Sequence, residues 1–230
     1  MNTNVSVTKS NNRKDNRIIL SDKENLAWAS KYFNSDELKY LKKVAKDDIS
    51  FAFIPRAEAY TFVQFLKKGK TVSDTHEEAR VAGNEMLSEI AHYKITSITV
   101  VNHSKKKLVL PYVEGMILGN YQFLKYFNDR SEKTNSLKSI KVWEKSVDRK
   151  SLNELLSVLD ATMIARNLVN EPQSYLSAPT FSKEIKSLQT NKKENDLAND
   201  LKIQKERLIS LYVLPISNRC LSDIIKRFKN

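Results

Sequence analysis

The chain has 230 residues, room for one substantial domain with appendages, and its 40% hydrophobic content excludes a disordered or low-complexity protein. Lysine and arginine outnumber aspartate and glutamate 39 to 27, a net charge of +12 that draws polyanions without specifying a fold. The single cysteine, Cys220, excludes an intrachain disulfide, and no apolar run approaches the ~18 residues of a membrane span.

The polar opening, residues 1–16, carries no signal-peptide core, so a flexible start and a cytoplasmic location are expected. "RIIL" (Arg17–Leu20) is a plausible strand. "SDELKYLKKVAK" places Leu38, Leu41 and Val44 at helical spacing behind Ser35 as an N-cap. "ISFAFI" and "AYTFVQFL" are aromatic and β-branched, and Pro55, Arg56 and Ala57 between them predict two strands joined by a short turn.

Asp74 to Tyr93 is predicted as a helix opened by Asp74 and Glu77, with Ala79, Ala82, Met86, Leu87 and Ile90 on one apolar face. "SITVV" (Ser97–Val101) is the nearly unbroken apolar run of a strand covered on both sides. Tyr112 to Asp129 returns to helical spacing, with Val113, Met116, Ile117 and Leu124 as its core face. Gly115 and Gly119, four apart, open one side of that helix to another backbone. "LKSIKVW" (Leu137–Trp143) is another strand.

"SLNELLSVLDATMIARNLVN" then starts a long helix at a Ser151–Glu154 capping box. Leu152, Leu155, Leu156, Leu159 and Met163 form its buried stripe, over a length on the order of 28 Å. Pro172 ends this helix, because the residue before a proline is pushed out of helical geometry. Ser177 can cap the next one, with Pro179 in its first turn. From residue 189 to 230 the chain turns polar and weakly periodic, apart from the apolar "LISLYVLPI", and reads as a loosely ordered, partly helical tail. Strands alternating with helices make the fold class α/β, and the paired aromatic strands make its helix-flanked sheet mixed.

Motifs of reaction chemistry are few. "KKGKT" (Lys67–Thr71) ends like a phosphate-binding loop, but Gln64 stands where such a loop needs its first glycine, which leaves a lysine-rich turn. His76, His92 and His103 are scattered and lack metal-ligand spacing. No Gly-x-Ser-x-Gly elbow occurs, and Cys220 has no catalytic-thiol signature. No residue is assigned as catalytic, cofactor-binding or metal-binding.

Two segments are more specific, "EGMILGNYQF" (Glu114–Phe123) and "ARNLVNEPQSYLSAPTF" (Ala165–Phe181). Through them the chain resembles the leucyl aminopeptidases, also called cytosol aminopeptidases. Ala165, Arg166, Asn167, Leu168, Val169, Asn170 and Pro172 are similar to that family's Ala-Arg-Asp-Leu-Val-Asn-x-Pro motif, with Asn167 replacing the usual Asp. "YLSAPTF" is similar to the segment that begins its catalytic domain. The resemblance runs from about Arg17 to Leu188 and stops there.

The resemblance implies a macro-domain-like, non-catalytic N-terminal module at 17–150, a connecting helix and a stub of the catalytic domain at 151–188, and an unaligned tail at 189–230. The family removes N-terminal amino acids from peptides with two divalent cations, zinc or manganese, and assembles into hexamers. Its ligands lie in segments similar to Val-Gly-Lys-Gly-x-x-x-Asp-x-Gly-Gly and Asn-Thr-Asp-Ala-Glu-Gly-Arg. This chain has four glycines, the last at Gly119, and contains neither segment. A truncated or frameshifted product without activity is therefore expected, with no cofactor of its own. Self-association, or docking to a full-length aminopeptidase, is the partner expectation. The alternative is a free-standing module that binds a nucleotide-like ligand or nucleic acid, although no stacking aromatics interleave the positive charge.

Overall fold

The computed structural model describes residues 3–10, 12 and 14–190, so the predicted tail lies outside the described residues from 191 on. The chain divides into two compact units, Met1–Ile164 and Ala165–Asn230. The first holds β1 (Asn4–Val7), β2 (Arg17–Ser21), α1 (Ser35–Lys46), β3 (Phe51–Pro55), β4 (Tyr60–Phe65), α2 (Val72–His92), β5 (Ser97–Asn102), α3 (Val109–Gly119), α4 (Arg130–Lys133) and β6 (Ser139–Trp143). The helix α5 (Arg149–Asn170) spans the boundary, and α6 (Ala178–Thr190) belongs to the second unit.

The expected mixed sheet is present. Its order is β1-β6-β5-β2-β4-β3, parallel throughout except that β3 runs antiparallel to β4. Successive side chains of a strand alternate between faces, so each inner strand feeds two cores. Ile18, Leu20, Phe62, Ile98, Val100, Ile140 and Val142 enter one core with Met86 and Ile90 of α2, Val113 and Met116 of α3, and Leu152, Leu159 and Met163 of α5. Ile19, Ala52, Ile54, Val63, Phe65 and Val101 enter the other with Leu41 and Val44 of α1. Double coverage is why "SITVV" and "RIIL" read as unbroken apolar runs.

The opening expected to be flexible contains a strand. Asn4–Val7 is an edge strand in parallel register with Ser139–Val142, with Val5 buried in the first core. A four-residue strand is too short to show its period, and the signal for its order is remote. The buried side chain of Asn120 donates to the Thr3 hydroxyl at 2.8 Å and to the Leu137 carbonyl at 3.1 Å. The same residue caps α3, so the helix predicted from Tyr112 to Asp129 stops at Gly119, and residues 121–129 form a non-helical segment, half-buried to 124 and exposed beyond.

Helix starts are also displaced from the sequence reading. Asn34, not Ser35, caps α1, in a box closed by Glu37. Thr71 caps α2 with Asp74 as its reciprocal partner. Asp148 accepts the Ser151 N–H at 2.8 Å ahead of α5. Ser35, Asp74 and Ser151 lie one to three positions inside these caps, in stretches where several polar residues follow one another. At the other ends, α1 and α2 close in left-handed turns on Asp48 (φ 57°) and Lys94 (φ 50°). The Ile49 N–H returns to the Val44 carbonyl and the Ile95 N–H to the Ile90 carbonyl, a glycine-type closure made here without glycine.

The close backbone approach expected at Gly115 occurs where α3 crosses α2. A Cβ on Gly115 would overlap the Arg80 carbonyl, and one on Gly83 would overlap the Tyr112 carbonyl. The two glycines thus open the crossing from both sides. Across it, Arg80 Nε meets Glu114 Oε2 at 2.8 Å.

Candidate functional site

Two places could carry function. The first is the segment that follows α5, within the second unit. Pro172 leaves the helical path, and its carbonyl accepts the N–H groups of Tyr175 and Leu176, both at 2.9 Å. Ser177 stands directly before α6, where its carbonyl receives the Phe181 N–H at 2.8 Å, as its predicted capping position requires. The Tyr175 hydroxyl donates to Glu184 at 3.1 Å and fixes the turn against the helix. Leu168, Val169, Leu176 and Phe181, with Glu171 and Gln173, line a groove of about 320 Å³. Val169 is 72% exposed and Phe181 41%. Such a lining can receive an apolar surface, and Glu171 is the one charged side chain among its described residues. Arg166 is half-buried here.

The second place is the carboxyl end of the parallel strands. The chain leaves β2 toward β4 and returns past it to β5, and α/β sheets open a ligand crevice where such crossovers diverge. Here the chain's own side chains bond and stack with one another beyond the strand ends. The Trp28 indole stacks on the His103 ring at 4.5 Å and 5°, and its Nε1–H donates to Ser21 at 3.0 Å. Asp22 accepts from the Ser104 hydroxyl at 2.8 Å and from the Lys105 N–H at 3.0 Å, which ties the loop after β2 to the loop after β5. Asn102 donates to Glu144 at 3.0 Å and adds the end of β6. Trp28 and His103 meet only in the folded chain, so sequence motifs gave no signal for this cluster.

The remaining sequence candidates fall apart. Lys67–Thr71 follows β4, where the Gly69 N–H already bonds the Thr75 hydroxyl at 3.2 Å and Thr71 caps α2. His76 and His92 lie near opposite ends of α2, and His103 follows β5. Among the described residues no three His, Cys, Asp or Glu side chains gather closely enough to hold a metal ion, so these residues do not fit the cation pair that the resemblance implies. No described helix is long and apolar enough to cross a membrane.

Burial, and next the charge of Lys31, hold the His103 pKa below its ordinary 6.5. Its neutral form is therefore favoured in the folded state. The unfolded chain binds more protons between the folded value and 6.5. Stability from this group is complete above pH 6.5 and falls as pH drops through that value. Urea midpoints at pH 7.5 and 5.5 should show this loss, and His103→Phe, which keeps the stack, should lose less. Equal losses in both proteins would exclude His103 as the titrating group.

No protein-family model matches the chain. Among curated proteins, one named "Probable cytosol aminopeptidase" from Clostridium perfringens is 31% identical over 133 residues, which are 54% of this chain and 27% of that protein. A protein of the same name from Aquifex aeolicus is 28% identical over 151 residues, covering 64% and 30%. Among solved structures, a tomato leucine aminopeptidase mutant superposes with a TM-score of 0.63 at 13% identity, over 82% of this chain and 42% of that one. The bottromycin maturation enzyme BotP, in complex with Mn, gives 0.54 at 17% identity, over 78% and 37%. The chain spans about a third of the length of the curated relatives it matches. It is thus similar to cytosol aminopeptidases, and its helix-flanked sheet has the fold of the leucine aminopeptidase N-terminal domain.

Proposed function

We propose that this chain is the non-catalytic N-terminal module of a leucyl-aminopeptidase-type protein, followed by its connecting helix α5 and the opening of the next domain at α6, and that it hydrolyses no peptide by itself. One sequence observation carries this reading. All four glycines lie at or before Gly119, whereas the metal-binding segments of the family are glycine-rich and follow the connecting helix. The fold relationship covers the sheet and the helices around it, which supports a scaffold role. The exposed Val169 and Phe181 are then the surface that a full-length aminopeptidase partner would cover.

Pure protein incubated with leucine p-nitroanilide and Mn²⁺ or Zn²⁺ should release no p-nitroaniline above the metal-only blank. Turnover that copurifies with the chain and disappears on chelation would overturn the proposal.

A further inference from the structure

We infer that the carboxyl end of the parallel strands is a basic surface that holds the phosphate backbone of duplex nucleic acid, without regard to base sequence. The surface lies within the first unit and is independent of the aminopeptidase relationship. Three strand-to-helix connections meet there: 66–71 from β4 into α2, 103–108 from β5 into α3, and 144–150 from β6 into the first turn of α5. Each contributes three lysines or arginines, and only Glu144 and Asp148 accompany these nine. Eight of the nine are exposed, Lys106 being half-buried.

Pairing differs between the two ends of the sheet. Around the amino end Lys14 meets Glu58 at 3.3 Å and Arg56 meets Glu37 at 3.0 Å. At the carboxyl end none of the nine forms an ion pair among the described residues. The acids nearby are held by neutral donors of the chain itself. Glu144 accepts from Asn102 at 3.0 Å and Ser146 at 2.9 Å, and Asp148 from the Ser151 N–H at 2.8 Å. Asp22 takes the Lys105 N–H at 3.0 Å, and Asp74 the Thr71 N–H at 3.0 Å. The loop after β2 and the end of α1 bring Lys23 and Lys46 with Glu24, Asp47 and Asp48, so the basic excess belongs to the three connections. Like charges gathered this way repel one another, and a polyanion relieves the repulsion.

Spacing and composition select the polyanion. In the sheet order β6 and β4 stand three strand spacings apart, about 14 Å, which matches roughly four successive phosphates on one strand of a duplex. His103 is the one ring in the three connections, and it is stacked on Trp28. Single-stranded bases would therefore find no stacking platform, whereas a duplex backbone needs only the charges. Leu108 and Val147 are buried and Leu66 half-buried, so the connections offer little to a bilayer interior.

Fluorescence anisotropy of a labelled 20-base-pair DNA duplex with the full chain should show saturable binding that weakens roughly 150-fold between about 50 and 200 mM salt, as four phosphate contacts require. Lys68→Gln, Lys107→Gln and Lys150→Gln together remove one exposed charge from each connection. This triple should lower the salt slope by about two and weaken binding at low salt by more than about tenfold. Lys42→Gln, Lys43→Gln and Lys138→Gln, exposed positions on α1 and ahead of β6, remove the same net charge and should leave the slope in place. Thermal melts of both triples establish that the fold is intact. Absence of binding at low salt, binding indifferent to salt, or equal losses in the two triples would overturn the inference. Tighter binding to a single strand of the same length, or to phosphatidylserine vesicles, would assign the surface to that partner instead and rule out the duplex.

Discussion

Gly115→Val is expected to destabilise the first unit by about 2–4 kcal/mol, a large share of the ~5–15 kcal/mol that holds a typical domain together. The added Cβ would overlap backbone atoms of Arg80, which no side-chain rotation can clear. Separation of the helices is the remaining response, and it is opposed on both sides. α2 is anchored by Met86 and Ile90 and α3 by Val113, Met116 and Ile117, all in the core with the sheet. Moving α3 outward also stretches the contact between Arg80 and Glu114. Gly83→Ala should act in the same way, through the Tyr112 carbonyl. Both substitutions open one crossing, so their combined effect should fall short of the sum of the separate losses. Gly119→Ala is the control, because its Cβ meets only the side chains of Asn84 and Leu87, which can move. Urea unfolding measures all four proteins. A Gly115→Val loss below about 0.5 kcal/mol would mean the crossing is looser than described.

The sequence exposed the elements whose signal is local. Uninterrupted apolar runs located β2 and β5, and the Phe-rich pair located β3 and β4 with their turn. Three-four spacing located α2 and α5, whose Leu152, Leu159 and Met163 are buried as expected, with Leu155 and Leu156 partly so. What stayed hidden depends on distant partners. β1 is ordered by β6 and by the bond from Asn120 to Thr3. The end of α3 depends on that same asparagine, whereas "NYQFLKYF" carries apolar spacing that a periodicity reading extends as helix. Gly115 announced a close contact, but its counterpart Gly83 lay in an apparently ordinary amphipathic stretch. The crevice between β2 and β5 was illegible for the same reason, since Trp28 and His103 stack only once the sheet has formed.

Phe62→Ala should be the most damaging single change in the sheet, at about 3–5 kcal/mol, with Phe62→Leu near 1 kcal/mol. Phe62 is fully buried in the first core. Its ring lies 6.2 Å from Phe51, 5.0 Å from Phe53 and 6.3 Å from Tyr93. Loss of the ring leaves a cavity bounded by two strands, whose paired backbones cannot collapse into it. Tyr60, two residues earlier on the same strand face, makes similar ring contacts with Phe53 at 5.8 Å and Tyr93 at 4.8 Å, yet is only half-buried. Solvent can replace part of what its truncation removes, so Tyr60→Ala should lose roughly half as much. The ranking tests whether burial in the core or ring contact sets the energy of this aromatic strip. Equal losses would assign it to the rings themselves, and β3 would then be held to the sheet chiefly by Tyr60, Phe53 and Tyr93 at its surface.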